Sequence, residues 1–121
     1  MASLEGAGPL ANDGHRGVYL HAGLITTPDG LPLGVTDFNY VTRSDKERGK
    51  KPRGNSVPIE KKESFRWLQG YRDACEIQAQ FPGVEVISLA DREADIFELF
   101  QEYEVRKVSG RSAAHLVVRA K

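Results

Sequence analysis

Between Pro82-Gly83 and Asp91 runs Val84-Glu-Val-Ile-Ser-Leu-Ala90, the most apolar stretch of this 121-residue chain and the feature that most restricts its fold. Seven residues are far short of the roughly 20 that a membrane-spanning helix needs, so neither a membrane span nor a membrane partner is expected. A short run, apolar at nearly every position, is predicted to be a strand buried on most of both faces, as inside a parallel sheet. Two helical patterns bracket it. Upstream, Glu60 to Gln80 carries Phe65, Leu68, Cys75 and Ala79 at helical spacing, flanked by Trp67, Tyr71 and Ile77. Phe81-Pro82-Gly83 stops that helix, because proline cannot continue the hydrogen-bond ladder and glycine tolerates a left-handed exit. Downstream, Ile96, Phe97, Leu99, Phe100 and Tyr103 recur at i, i+1, i+3, i+4 and i+7, predicting a second helix a few residues past Asp91. His115-Leu-Val-Val-Arg-Ala120 reads as a closing strand.

The first third is built differently. Residues 1–14 are rich in glycine and read as a flexible loop. Val18 to Thr26 then alternates, with Leu20, Ala22 and Leu24 on one face and Tyr19, His21, Gly23 and Ile25 on the other. Thr27-Pro28-Asp29-Gly30 is a turn sequence, and Leu31 to Val41 is predicted as the return strand. Leu33 and Val35 share one phase while Phe38 and Tyr40 fall in the other, which points to a bulge near Thr36-Asp37. The order strand, strand, helix, strand, helix, strand predicts an α/β sheet with an antiparallel hairpin at one side. Function in such a sheet belongs at the carboxyl ends of the parallel strands.

Lys and Arg number 17, as do Asp and Glu, so any attraction for nucleic acid must come from local clustering. One cluster exists. Between Arg43 and Lys62 stand Arg43, Lys46, Arg48, Lys50, Lys51, Arg53, Lys61 and Lys62 against Asp45, Glu47 and Glu60, a net of +5. With Gly49, Pro52, Gly54 and Pro58 in the same window, a mobile loop is predicted, serving either as a solvated surface or as a phosphate contact. The single cysteine, Cys75, excludes an internal disulfide and fits a reducing compartment, and the amino terminus lacks the pattern of a signal peptide, so a cytoplasmic location is expected. Neither His15, His21 nor His115 has a second ligand at zinc spacing. Cys75 lies in an apolar helix stripe, where a thiol is inert. Ser88 lacks a nucleophile elbow, and Gly6-Ala-Gly8 neither follows a strand nor opens a helix.

Asp91 is different because it ends the apolar strand, in Asp91-Arg-Glu-Ala-Asp95. A carboxylate there suits a hard divalent cation, and two such ions a few ångströms apart activate water and stabilise the leaving oxygen of a phosphodiester. One carboxylate cannot do this alone. On residue type, capping of the following helix is the commoner role, with Glu93 and Asp95 adding to the same dipole effect.

Taken together, Gly14-His-Arg-Gly17 before a strand, the hairpin ending in Tyr40-Val-Thr-Arg43, Pro58-Ile-Glu-Lys-Lys-Glu-Ser-Phe-Arg-Trp67 and Ser88-Leu-Ala-Asp-Arg-Glu-Ala-Asp-Ile96 resemble the cut-and-paste DDE transposases of the insertion-sequence-four group, over about Gly14 to Arg119. The resemblance implies a ribonuclease-H-like mixed sheet with helices across residues 15–121. It also implies a core in which three acidic residues hold two Mg²⁺ or Mn²⁺ ions for DNA nicking, hairpin formation and strand transfer. Asp91 matches the second acid, as metal ligand and catalytic residue, with Arg92, Glu93 and Asp95 supporting it.

The family's first acid stands in an Asp-Thr-Thr stretch upstream of the region matched by Gly14-His-Arg-Gly17, and no such stretch precedes Gly14; Asp13 sits in a Gly/Asn/Pro loop. Its third lies on a helix further downstream. The expectation is therefore an incomplete core, without the first central strand and the last catalytic helix and inactive by itself. The full-length family works on transposon-end DNA and as a homodimer. The alternative expectation is a non-catalytic module that binds DNA or an intact transposase through residues 43–62. A third is a small α/β domain in which Asp91 only caps a helix.

Overall fold

The computed structural model describes residues 5–10, 14–43 and 58–120, which form a mixed α/β protein with two α-helices and three two-stranded sheets. The chain divides into two compact units, Met1–Val57 and Pro58–Lys121, with the division inside the basic stretch.

In the first unit, β1 (Gly8–Pro9) pairs antiparallel with β2 (Arg16–Gly17). Part of the opening expected as loop is therefore a short ladder. The Leu10 amide donates to the His15 carbonyl at 3.0 Å and Arg16 Nη2 to the Ala7 carbonyl at 2.7 Å, which closes it. The predicted hairpin is present as β3 (Tyr19–Thr26) and β4 (Pro32–Val41). Its turn is closed by Thr27, whose amide donates to the Leu31 carbonyl at 2.9 Å while its Oγ1 accepts from the Leu31 amide at 3.0 Å.

Ala22 faces Phe38 but Leu24 faces Val35, so Gly23 stands opposite Thr36-Asp37, where the change of phase predicts a bulge. This shift brings Leu20, Leu24, Val35, Phe38 and Tyr40 onto one exposed face. A Cβ on Gly23 would overlap Thr36 Oγ1, so with Thr36 opposite it the bulge favours glycine there.

In the second unit the helix pattern resolves into a 3₁₀ turn, Ile59–Lys61, and α1 (Phe65–Gln80), separated by Lys62 in an extended conformation. The stretch 58–62, expected as mobile loop, is thus partly ordered. Leu68, Tyr71 and Cys75 form the buried stripe of α1, with Tyr71 at its centre and Ala79 exposed. Then follow β5 (Ile87–Ala90), a 3₁₀ turn Arg92–Ala94, α2 (Phe97–Ser109) and β6 (His115–Val118). β5 and β6 pair in parallel, Ile87 opposite His115 and Ala90 opposite Val118, with α2 as the crossover. Leu68, Tyr71, Cys75, Ala94, Leu99 and Ala114 are the core, and Phe65, Ala90, Ile96, Tyr103, Leu116 and Val118 pack around it.

Two expectations about the apolar run need correction. The strand covers only Ile87–Ala90, because the Gln78 side chain takes up the backbone before it. Gln78 Nε2 donates to the Val84 carbonyl at 2.6 Å and its Oε1 accepts from the Val86 amide at 2.8 Å. The strand is also not buried on both faces. Ser88 and Ala90 turn toward the helices, whereas Ile87 and Leu89 are exposed, Leu89 at 74%. A two-layer unit covers only one face of its sheet.

Candidate functional site

The parallel pair β5 and β6 directs two chain ends to one edge, the position where α/β sheets expose ligand-binding groups. Asp91 leaves β5 there in an extended conformation, and its side chain is exposed. The Arg119 amide donates to the Ala90 carbonyl at 3.0 Å, which brings the end of β6 beside it. Asp91 Oδ1 accepts the Glu93 amide at 2.8 Å and so caps the 3₁₀ turn Arg92–Ala94. It does not cap α2, whose N-cap is Ile96. The capping role therefore exists, but for the short turn and not for the helix.

The other members of the motif divide between anchor and surface. Ala94 is fully buried and holds the turn to the core. Arg92 is exposed and Asp95 is half-buried. Glu93 is exposed and ion-paired, its Oε2 lying 2.8 Å from Arg66 Nη2. Arg66 also donates through Nη1 to the Glu63 carbonyl at 3.3 Å, and its guanidinium lies over the Trp67 ring, 5.8 Å from the centroid. Just before α1, Lys62 Nζ reaches Glu98 Oε1 at 3.5 Å. These two ion pairs tie the entry to α1 to the 3₁₀ turn after β5 and to the first turn of α2.

Of the expected DNA contacts, Lys62 is thus engaged in an ion pair, and Lys61 is exposed on its 3₁₀ turn. Arg43 stacks on Tyr19, its guanidinium carbon 4.7 Å from the ring centroid, and Nη1 donates to the Tyr19 hydroxyl at 3.2 Å. Lys46, Arg48, Lys50, Lys51 and Arg53 lie outside the described residues.

A hard carboxylate oxygen at an exposed strand end fits one position in the coordination shell of Mg²⁺ or Mn²⁺. Among the described residues no group of three His, Cys, Asp or Glu side chains is placed to hold an ion, so Asp91 supplies a single ligand. Also among those residues, no helix is long and apolar enough to cross a membrane.

Sequence reading gave Arg66 and Glu98 no role. Lys62 is extended and lies outside α1, and the acidic partners of Lys62 and Arg66, Glu98 and Glu93, stand far along the sequence, beyond the reach of a local pattern. No family model matches the chain, and no curated protein matches it.

Proposed function

We propose that this chain is a segment of the ribonuclease-H-like catalytic core of a DDE transposase, in which Asp91 is one of the metal-holding carboxylates that act on transposon-end DNA. The observation that carries the reading is the position of Asp91, exposed at the carboxyl end of β5, where it opens Asp-Arg-Glu-Ala-Asp-Ile. Element order supports it, since an antiparallel hairpin, a helix and a parallel pair with a helical crossover follow one another as such a core requires. The active centre would draw two further carboxylates from a preceding strand and a following helix.

Mg²⁺ or Mn²⁺ held there supplies activation of water and stabilisation of the leaving oxygen. The residues of this chain contribute position. β5 delivers the Asp91 carboxylate to the sheet edge, the Glu93 amide fixes one of its oxygens, and buried Ala94 keeps the turn on the core.

A chain extended by the family's Asp-bearing strand before residue 14 and its acidic helix after residue 121 should nick transposon-end DNA only with Mg²⁺ or Mn²⁺. The nearly isosteric Asp91→Asn should abolish nicking while the protein still folds. Nicking by the Asp91→Asn protein at close to the parent rate would overturn the assignment.

A further inference from the structure

We propose that the exposed face of the hairpin is a stacking platform for single-stranded DNA, with Phe38 and Tyr40 as its base contacts; the inference rests on the reading above only for the choice of DNA over RNA. Phe38 and Tyr40 stand two residues apart on β4, so they leave the same side of the strand about 7 Å from one another. They are 55% and 73% exposed. Across the ladder Phe38 faces Ala22, too short to cover a ring, and Tyr40 faces Leu20, itself exposed. The bulge opposite Gly23 sets this phase and puts both rings on the same apolar surface as Leu24 and Val35.

Charge selects the occupant. Tyr19 pairs with Val41, so the end of the hairpin nearest Tyr40 is also where Arg16 precedes β3 and Arg43 follows β4, while Asp29 lies in the turn at the other end. Arg43 is held at that end by its stacking on Tyr19 and opens the stretch that carries a net +5 as far as Lys62. Two open rings on a strand, followed by positive charge, suit a single strand: the cations draw its phosphates and each unpaired base lays its face on a ring. A duplex keeps its base faces stacked inside and can use only the charge. The basic stretch therefore serves any DNA, and the two rings add a preference for single strands.

The probe is a fluorescein-labelled oligothymidylate of roughly ten nucleotides, titrated with the 121-residue chain and followed by anisotropy, beside a duplex of the same length. The single strand should bind on the order of tenfold more tightly than the duplex. Phe38→Leu and Tyr40→Leu keep an apolar side chain on the strand, and each should weaken single-strand binding about fivefold. The two together should bring it down to the duplex level, with duplex binding and its salt slope unchanged. Tyr40→Phe keeps the ring and should bind like the parent.

Equal affinity of the parent for single strand and duplex overturns the proposal, and so does single-strand affinity that survives the double Leu change. If the double variant unfolds, Tyr40→Leu set against Tyr40→Phe decides: weaker binding in the first alone supports the platform, and equal binding rejects it. Should sedimentation show that the oligonucleotide is shut out of a dimer that Tyr40→Leu no longer forms, the face belongs to a second copy and the proposal falls. Tighter binding of oligouridylate overturns the choice of DNA. None of these readouts involves Asp91, so failure here leaves the metal-ligand reading standing, and nicking retained by Asp91→Asn would remove that reading without altering single-strand binding.

Discussion

The Tyr71 hydroxyl donates to the Ala114 carbonyl at 2.9 Å, with both residues buried, and so fastens the middle of α1 to the residue that precedes β6. Cys75, one turn on, receives the Ala114 amide on its sulfur at 3.4 Å, and the Tyr103 ring meets Tyr71 edge-on with centroids 6.3 Å apart. Both polar groups of the Ala114 peptide region are thus satisfied by α1 side chains, which is how the segment entering β6 runs through the core without orphaned backbone.

Tyr71→Phe keeps the ring and deletes the bond, leaving a buried carbonyl without its donor. Urea unfolding should show a loss of about 1–2 kcal/mol. Burial, followed by the contact with Cys75, pushes the Tyr71 hydroxyl well above its ordinary value of 10.0. The folded protein therefore holds this proton more tightly than the unfolded chain. That contribution is intact below about pH 10 and is lost as pH rises beyond it. An alkaline unfolding profile should accordingly be flatter above pH 10 in Tyr71→Phe than in the parent, and identical profiles would refute the linkage.

Glu102 ties three elements of the second unit together. It accepts from Arg72 of α1 at 3.2 Å and from Arg106, one turn along α2, at 2.8 Å, and Arg106 continues to the Ser112 carbonyl at 3.1 Å. Burial opposes ionisation of the carboxyl, but the hydrogen bonds from the two guanidinium groups outweigh it and hold Glu102 below its ordinary 4.5. Stability from this centre is present above about pH 4.5 and disappears as pH falls through the lower folded value. Glu102→Gln should cost about 1 kcal/mol at pH 7, and the difference from the parent should narrow in thermal melts below pH 4.

Much of the fold was legible because the local signals agreed. The phase change between Val35 and Phe38 marked the bulge before any pairing was known, and Phe81-Pro82-Gly83 marked the end of α1. The strand near Asp91 was read too long because the competitor for its backbone is a glutamine amide from α1, and a side chain of that kind carries no strand-breaking signature. The site was legible only in part. Asp91 stands out by its place after an apolar run, whereas Arg66 gains meaning from Glu93, which folding alone brings near.

Gly23 provides a test of the bulge. Gly23→Ala places a methyl group against Thr36 Oγ1 and should destabilise the hairpin by about 1–3 kcal/mol. Thr36→Ala removes the obstacle, so the double variant should recover most of the loss. Additive penalties in urea unfolding would show that the two side chains do not collide.

DNA affinity of the chain should be weak, independent of sequence and carried by the stretch from Arg43 to Lys62, the one strong concentration of positive charge. Each phosphate contact adds about 0.9 to the slope of log affinity against log salt. Neutralising Lys50, Lys51 and Arg53 together should flatten that slope measurably. Lys62→Gln should change it little, because the Lys62 ammonium already faces Glu98. A slope unmoved by the triple change would reject the stretch as the contact.

The last expectation concerns association, and it follows from what each sheet leaves uncovered. The hairpin presents Leu20, Leu24, Phe38 and Tyr40, the last 73% exposed, and the parallel pair presents Ile87, Leu89 and Val117. Parallel strands are almost always covered on both faces, and a two-stranded sheet is marginal without further packing. Among the described residues neither sheet has a third strand, and open strand edges favour pairing between molecules. The described core is small, with six buried apolar residues, all in the second unit. The 121-residue chain should therefore sediment as concentration-dependent oligomers at tens of micromolar and melt broadly. Replacing Leu89 and Tyr40 by Lys, which puts a charge on each open face, should shift it toward monomer without lowering helix content. A parent chain that remains monomeric and melts in one sharp transition above about 60 °C would contradict this account of the exposed faces.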